Sequence, residues 1–215
     1  MTQAKTDASG ENATGWRGSK DLWLDAAQNA FVDSGLDAVK IQPLASQLDL
    51  SRTSFYWFFK DRAALLDALL ERWETTNTGS LVAATEAYAE TISEAVLNLI
   101  GIFLDDGPFR SRFDLAVRGW AHQDEAVAAR VNAADAVRLD AIQRMFIRFG
   151  FDHKEADVRA RTVYLVQIGY ISLQVQEDMA TRMERMPDYV KTYTGQNPSE
   201  RELARFRAAH PDPKG

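Results

Sequence analysis

The sequence sets His122, Asp124 and Glu125 within four positions, residue types that can donate and accept protons in acid–base catalysis. They adjoin a predicted helix–helix turn, where such side chains ordinarily serve as caps and solvated charges. The chain has no cysteine, which removes disulfides, thiolate metal sites and cysteine nucleophiles. His122, His153 and His210 stand far apart and show no ligand spacing, so neither a metal nor a cofactor is expected. An all-α enzyme is the weakest of three readings open to this chain.

A second kind of chemistry is offered by "SRTSFYWFFKDR", Ser51 to Arg62, which sets five aromatic residues among hydroxyl and cationic groups. On a helical wheel starting at Arg52, Phe55, Phe58 and Phe59 fall between about 240° and 340°, and Tyr56, Thr53 and Trp57 between about 40° and 140°. The first arc can fill a core. The second, beside Arg52, faces outward with polar tips suited to phosphates and base edges.

Charge argues mildly against such a partner, since the net charge is −6. The stretch from Arg17 to Arg62 is also balanced. Arg17, Lys20, Lys40, Arg52, Lys60 and Arg62 are offset by Asp21, Asp25, Asp33, Asp37, Asp49 and Asp61. Four of those cations, Lys40, Arg52, Lys60 and Arg62, nonetheless gather near helix ends around one turn, where backbone N–H groups also attract phosphate.

The elements that must position these groups are helices, and the chain reads as all-α. Residues 1–16 are rich in Ser, Thr, Gly, Asn and Ala and are expected to form a disordered arm. Ser19 caps a first helix with Leu22, Ala26, Ala27, Ala30 and Phe31 at helical spacing, and Gly35 ends it as a left-handed cap. Pro43 suits the first position of a second helix. Ser51 caps a third and Asp61 a fourth, which runs through Leu65, Leu66, Leu69, Leu70 and Trp73. The link "QLDLS" is the tight turn of a helix-turn-helix, with Asp49 where a left-handed residue is needed.

Beyond Ser80 longer helices are predicted: Leu81 to Phe103, ended by "DDGP"; Phe109 to Trp120; Val127 to Phe149, ended by Gly150; and Glu155 to about Met179. Arg182 to Tyr193 is a further amphipathic stretch broken by Pro187, and Ser199 caps a short last helix. The start of the chain is not a secretory signal, and no run approaches the roughly 20 apolar residues of a membrane span. A soluble, cytoplasmic protein is expected.

The first 75 residues resemble the DNA-binding domain of the TetR family of bacterial transcriptional regulators. The resemblance rests on "AAQNAFVDSGLDAV" and "LASQLDLSRTSFYWFFKDRAALLDALL". Ala27, Phe31 and Gly35 match the first helix, and Leu44, Ala45 and Leu48 the second. Ser51, Phe55, Tyr56, Phe59, Leu65 and Leu66 match the recognition helix and its successor. The sequence departs from the family at Asp49 for Gly, Arg62 for Lys, and Ile41 for a Ser or Thr cap.

The resemblance implies residues 17–75 as a helix-turn-helix domain and residues 76–215 as an effector-binding and dimerisation domain. The residues expected to meet double-stranded operator DNA are Lys40, Gln42, Arg52, Thr53, Ser54, Tyr56, Trp57, Lys60 and Arg62. A small-molecule effector is expected between the long helices, where Phe113, Arg118, Trp120, His122, Tyr164 and Gln167 supply aromatic surface and a few polar groups. Members that bind magnesium–tetracycline carry a histidine just past the fourth helix. This chain has "RWETTN" there, so tetracycline is not the expected effector.

"VYLVQIGYISLQV", Val163 to Val175, is apolar nearly all round and too short to span a membrane. One face is expected to pack inside its own domain and the other against a second copy, with Gly169 and Ser172 permitting close approach. The expected molecule is a homodimeric, ligand-responsive regulator, more a repressor than an activator. A ligand-binding protein of the same fold without DNA binding is the third reading.

Overall fold

The computed structural model describes residues 18–104 and 108–211. The proposed arm at 1–16, Arg17 and most of the "DDGP" stop lie outside them. The described residues form eleven α-helices and no strand. They divide between Leu66 and Asp67 into two compact units.

The first unit holds α1 (Lys20–Ser34), a 3₁₀ turn (Leu36–Ala38), α2 (Ile41–Gln47), α3 (Arg52–Phe55) and the start of α4 (Arg62–Trp73). Ser19 Oγ accepts from Leu22 N at 3.1 Å, which caps α1. Gly35 ends it at φ 81° and ψ 179°, a positive-φ conformation but not the expected left-handed helical one. Pro43 sits at the third position of α2, not the first. The first four N–H groups of a helix lack internal acceptors, so the imide nitrogen loses nothing there either. Trp23, Phe55 and Phe59 form the aromatic centre of this core, with Trp23 edge-on to Phe55 at 5.4 Å.

The second unit continues α4 through a π-helical turn (Glu74–Thr78) into α5 (Gly79–Glu86), followed by α6 (Ile92–Gly101) and α7 (Ser111–Ala121). Then come α8 (Glu125–Arg148), α9 (His153–Ser172), α10 (Met179–Thr194) and α11 (Glu200–Ala209). The α8 and α9 helices pack along each other, α7 lies against both, and α6 is covered by α5, α10 and α11.

Three helix boundaries differ from those expected. Leu81 to Phe103 is two helices, because Thr91 Oγ1 accepts from Glu94 N and Glu94 Oε2 accepts from Glu90 N, starting α6 anew. Thr91-x-x-Glu94 is a capping signal that reads clearly in retrospect. The α9 helix ends at Ser172 and not near Met179, with Gln174 at φ 48° turning the chain. Pro187 lies inside α10 without ending it. Ser199 and Glu202 form a complete capping box at α11.

Candidate nucleic-acid interface

Asp49, at φ 52°, makes the turn between α2 and α3, and Leu50 N closes it on Ala45 O at 2.9 Å. Ser51 Oγ accepts from Ser54 N at 3.2 Å and starts α3. That helix is only four residues long. Beyond it Tyr56, Trp57 and Phe58 each donate to a carbonyl three residues back, a tighter winding than the α-helix. The 100° step therefore no longer describes the winding past Phe55, yet of the two arcs only Phe58 departs from its expected side. Phe55 and Phe59 are buried and stacked at 5.4 Å, while Phe58 is half-buried between the two faces.

Tyr56 is 48% exposed and Trp57 63% exposed, large values for aromatic side chains in a well-packed unit. Arg52, Thr53 and Lys60 are exposed with them, as are Lys40 and Gln42 at the start of α2. Arg52 Nη2 donates to Tyr56 Oη at 3.4 Å, joining the cation to the ring that carries the phenol. The exposed set thus combines guanidinium, ammonium, hydroxyl, amide and aromatic groups, the chemistry needed for phosphate oxygens and base edges.

Two residues expected in this set are placed otherwise. Ser54 is buried and bonded to Ser51 Oγ at 2.9 Å, so its hydroxyl completes the cap. Arg62 turns back into its own unit, donating from Nε to Val39 O at 2.6 Å and from Nη2 to Leu36 O at 2.8 Å. Its partners lie 23 and 26 residues away, with no local pattern to announce them.

In the second unit the six residues expected around an effector lie on α7 and α9 or at the end of α7. Phe113 is buried in α7, Trp120 is half-buried, Gln167 is buried in α9, and His122 is exposed at the end of α7. Arg118 and Tyr164 do meet, with Nη2 donating to the phenol oxygen at 3.1 Å. They belong to a charged cluster whose other members are Asp114, Asp135 and Arg138. Arg118 pairs bidentately with Asp135 at 2.9 and 2.6 Å, and its Nε meets Asp114 at 2.7 Å. Arg138 meets Asp114 at 3.1 Å, both side chains fully buried, and its guanidinium lies 4.8 Å from the Trp73 ring centre.

Burial alone would raise the pKa of Asp114. The charges of Arg138 and Arg118, with hydrogen bonds from Arg118 and Trp73, outweigh it and hold the carboxyl below its ordinary value. Burial raises that of the Tyr164 phenol, beside the Asp135 carboxylate that accepts its proton at 2.6 Å. Asp114-x-x-x-Arg118 and Asp135-x-x-Arg138 are helical spacings that could have flagged two ion pairs. Their convergence across α7 and α8 has no sequence signal.

Of the proposed acid–base residues, Asp124 has a structural role, and His122 and Glu125 are exposed. Asp124 Oδ1 caps α8 by accepting from Ala126 N and Val127 N at 3.0 and 3.2 Å. Asp152 does the same for α9, beside His153. No group of His, Asp and Glu side chains able to hold a metal occurs among the described residues. No described helix is long and apolar enough to cross a membrane.

One face of α9 remains apolar and uncovered. Val158 is 62% exposed and Leu165 58%, and with Arg161, Thr162 and Val166 they line an open groove of about 380 Å³. Gly169 and Ser172 continue the same face, and a Cβ built on Gly169 would meet nothing within 4 Å.

Residues 24–69 match the family described as bacterial regulatory proteins, tetR family. No curated protein matches the chain in sequence. AmtR of Mycobacterium smegmatis is similar in structure, with a TM-score of 0.58 at 17% identity, over 93% of this chain and 97% of that one. A transcriptional regulator from Aquifex aeolicus gives 0.59 at 12% identity, over 83% and 96%. FadR of Bacillus subtilis, determined in complex with stearoyl-CoA, gives 0.50 at 12% identity, over 82% and 96%. At these identities the likeness is one of fold.

Proposed function

We propose that this chain, a member of the TetR family of bacterial regulatory proteins, is a homodimeric repressor that a small molecule releases from a palindromic operator. The observation that carries the DNA-binding part is the exposed set Arg52, Thr53, Tyr56, Trp57 and Lys60, presented by a turn that Asp49 and Ser51 fix. Lys40 and Gln42 add donors from the start of α2. Recognition then rests on a face that is locally basic although its unit is not. Binding should weaken steeply with salt, as counterion release requires.

Dimerisation is supported by α9. Val158, Thr162, Leu165, Gly169 and Ser172 recur at alternating steps of four and three, which places them on one helical stripe. Isolated apolar residues on a surface need no explanation, but a continuous stripe of this kind suits a self-complementary contact between two copies. The effector-binding part rests on the second unit and on precedent in the fold, since the Bacillus subtilis relative was determined with stearoyl-CoA.

An electrophoretic shift assay with the DNA upstream of the chain's own coding sequence tests the reading. Saturable binding that survives competitor DNA supports it. Binding no tighter than to random duplex would favour a ligand-binding protein that has kept the fold alone.

A further inference from the structure

Five consecutive residues, Glu74 to Thr78, form a π-helical turn between α4 and α5. A full π turn takes one residue more than an α turn and is uncommon. The burial pattern gives its cause. Leu69, Trp73, Asn77, Leu81 and Thr85 are all buried to 1% exposure or less, in a strict repeat of four. Four residues of α-helix overshoot one turn by about 40°, so a repeat of four drifts steadily off its face. The wide turn absorbs that drift. It keeps Asn77, Leu81 and Thr85 facing the core that Trp73 faces.

The turn is held by side chains. Thr75 and Thr76 hydroxyls donate to the carbonyls of Glu71 and Arg72, each at 2.8 Å, and Ser80 donates to Asn77 O at 3.0 Å. Asn77 is clasped by the backbone of Arg110, accepting from its N–H at 3.2 Å and donating to its C=O at 3.2 Å. Its amide also reaches Asp114 at 3.4 Å, and Thr78 accepts from Arg138 Nε at 3.0 Å. The residues themselves are poor helix formers, "TTNTG". Gly79 is not required by space, because a Cβ built there would meet nothing within 4 Å.

We infer that Glu74–Thr78 is a register switch. A segment weak in intrinsic helicity is kept in the wide turn by Asn77, held by Arg110 and Asp114, and by Thr78, held by Arg138 of α8. Loss of those bonds lets the segment rewind as α-helix, with the surplus residue passed toward the Ala87–Thr91 break. A one-residue change of register turns Asp67–Trp73 about the helix axis by roughly 100° relative to α5. This device lies outside the DNA-binding reading, and its test needs neither DNA nor effector.

The chain has no cysteine, so nitroxide labels can be placed by Glu71→Cys and Glu86→Cys on exposed positions without other changes. Pulsed electron–electron resonance on the full chain, with labelled protein diluted into an excess of unlabelled protein so that each dimer carries one labelled copy, should give one narrow distance for this pair. Adding Asn77→Ala should produce a second, resolved distance. Gly79→Ala, which meets no steric obstacle and favours the α-helix, should populate the same second distance with the fold retained. Should Asn77→Ala fail to fold, the Gly79→Ala result decides alone. Distance distributions that superimpose on the native one in every folded variant would overturn the switch.

Discussion

Arg138 Nη1 lies 3.1 Å from Asp114 Oδ1, and neither side chain touches solvent. Asp114 Oδ1 also accepts from Trp73 Nε1 at 2.8 Å, so the carboxylate ties the end of α4 to α7 and α8. Removing one partner of a fully buried pair leaves the other charge uncompensated, which costs about 3–5 kcal/mol. Asp114→Ala should lower unfolding free energy by that amount in urea denaturation followed at the second unit. A loss below about 1 kcal/mol would mean that water reaches the cluster.

The same carboxyl should shape the acid limb of stability. Its folded pKa is lowered, so the stabilisation is present above the unfolded value of about 3.9 and is lost as pH falls through the lower folded value. Unfolding measured from pH 6 to pH 2.5 should show a decline confined to the region below about pH 4. Asp114→Asn should be less stable near neutrality and show a shallower decline. An equal acid slope in both proteins would assign it to other groups.

Arg52 and Arg62 should separate cleanly by phenotype. Arg52→Ala is expected to weaken operator binding by about 1–3 kcal/mol at fixed salt and leave the unfolding midpoint unchanged. Arg62→Ala removes two charge-assisted, part-buried bonds to backbone carbonyls and should lower stability by about 1–3 kcal/mol. Fluorescence anisotropy on duplex DNA, paired with thermal unfolding of both variants, reads the difference.

How far the sequence speaks follows the range of the interactions. Ser19, Ser51, Asp61 and Ser199 cap helices through bonds three residues long, and each was legible as a cap. Asp49 was legible for the same reason, since the strain of its turn is local. The inward turn of Arg62 was not, because its partners lie 23 and 26 residues away, and the meeting of Asp114 with Arg138 was not, because 24 residues separate them and i,i+3 and i,i+4 ion pairs are ordinary on helix surfaces. The wide turn at Glu74–Thr78 was hidden differently. Periodicity at 3.6 is assumed in reading helices, and a repeat of four blurs into it over two turns. Val163 to Val175 reads as apolar all round, yet only part of it is covered, with Leu165 and Leu173 left 58% and 78% exposed.

That uncovered face makes the oligomeric state testable at a single position. Gly169→Arg has room in an isolated chain, since nothing lies within 4 Å of the added Cβ. If α9 meets its copy there, the substitution brings charge and volume into a packed contact and should convert dimer to monomer with fold retained. Analytical ultracentrifugation at several concentrations would read the change. An undiminished dimer would move the interface elsewhere.

The central claim is that two copies read DNA through Arg52, Tyr56 and Trp57. Two such faces on a symmetric dimer must enter successive major grooves about 34–36 Å apart. Selection from a random duplex library with the full-length protein, at one fixed salt concentration, tests this most directly. The expected outcome is an enriched imperfect palindrome with half-sites about one helical turn apart centre to centre, whose enrichment is lost with Arg52→Ala. Enrichment of no sequence by the native protein, or of the same sequence by the Arg52→Ala variant, would contradict it.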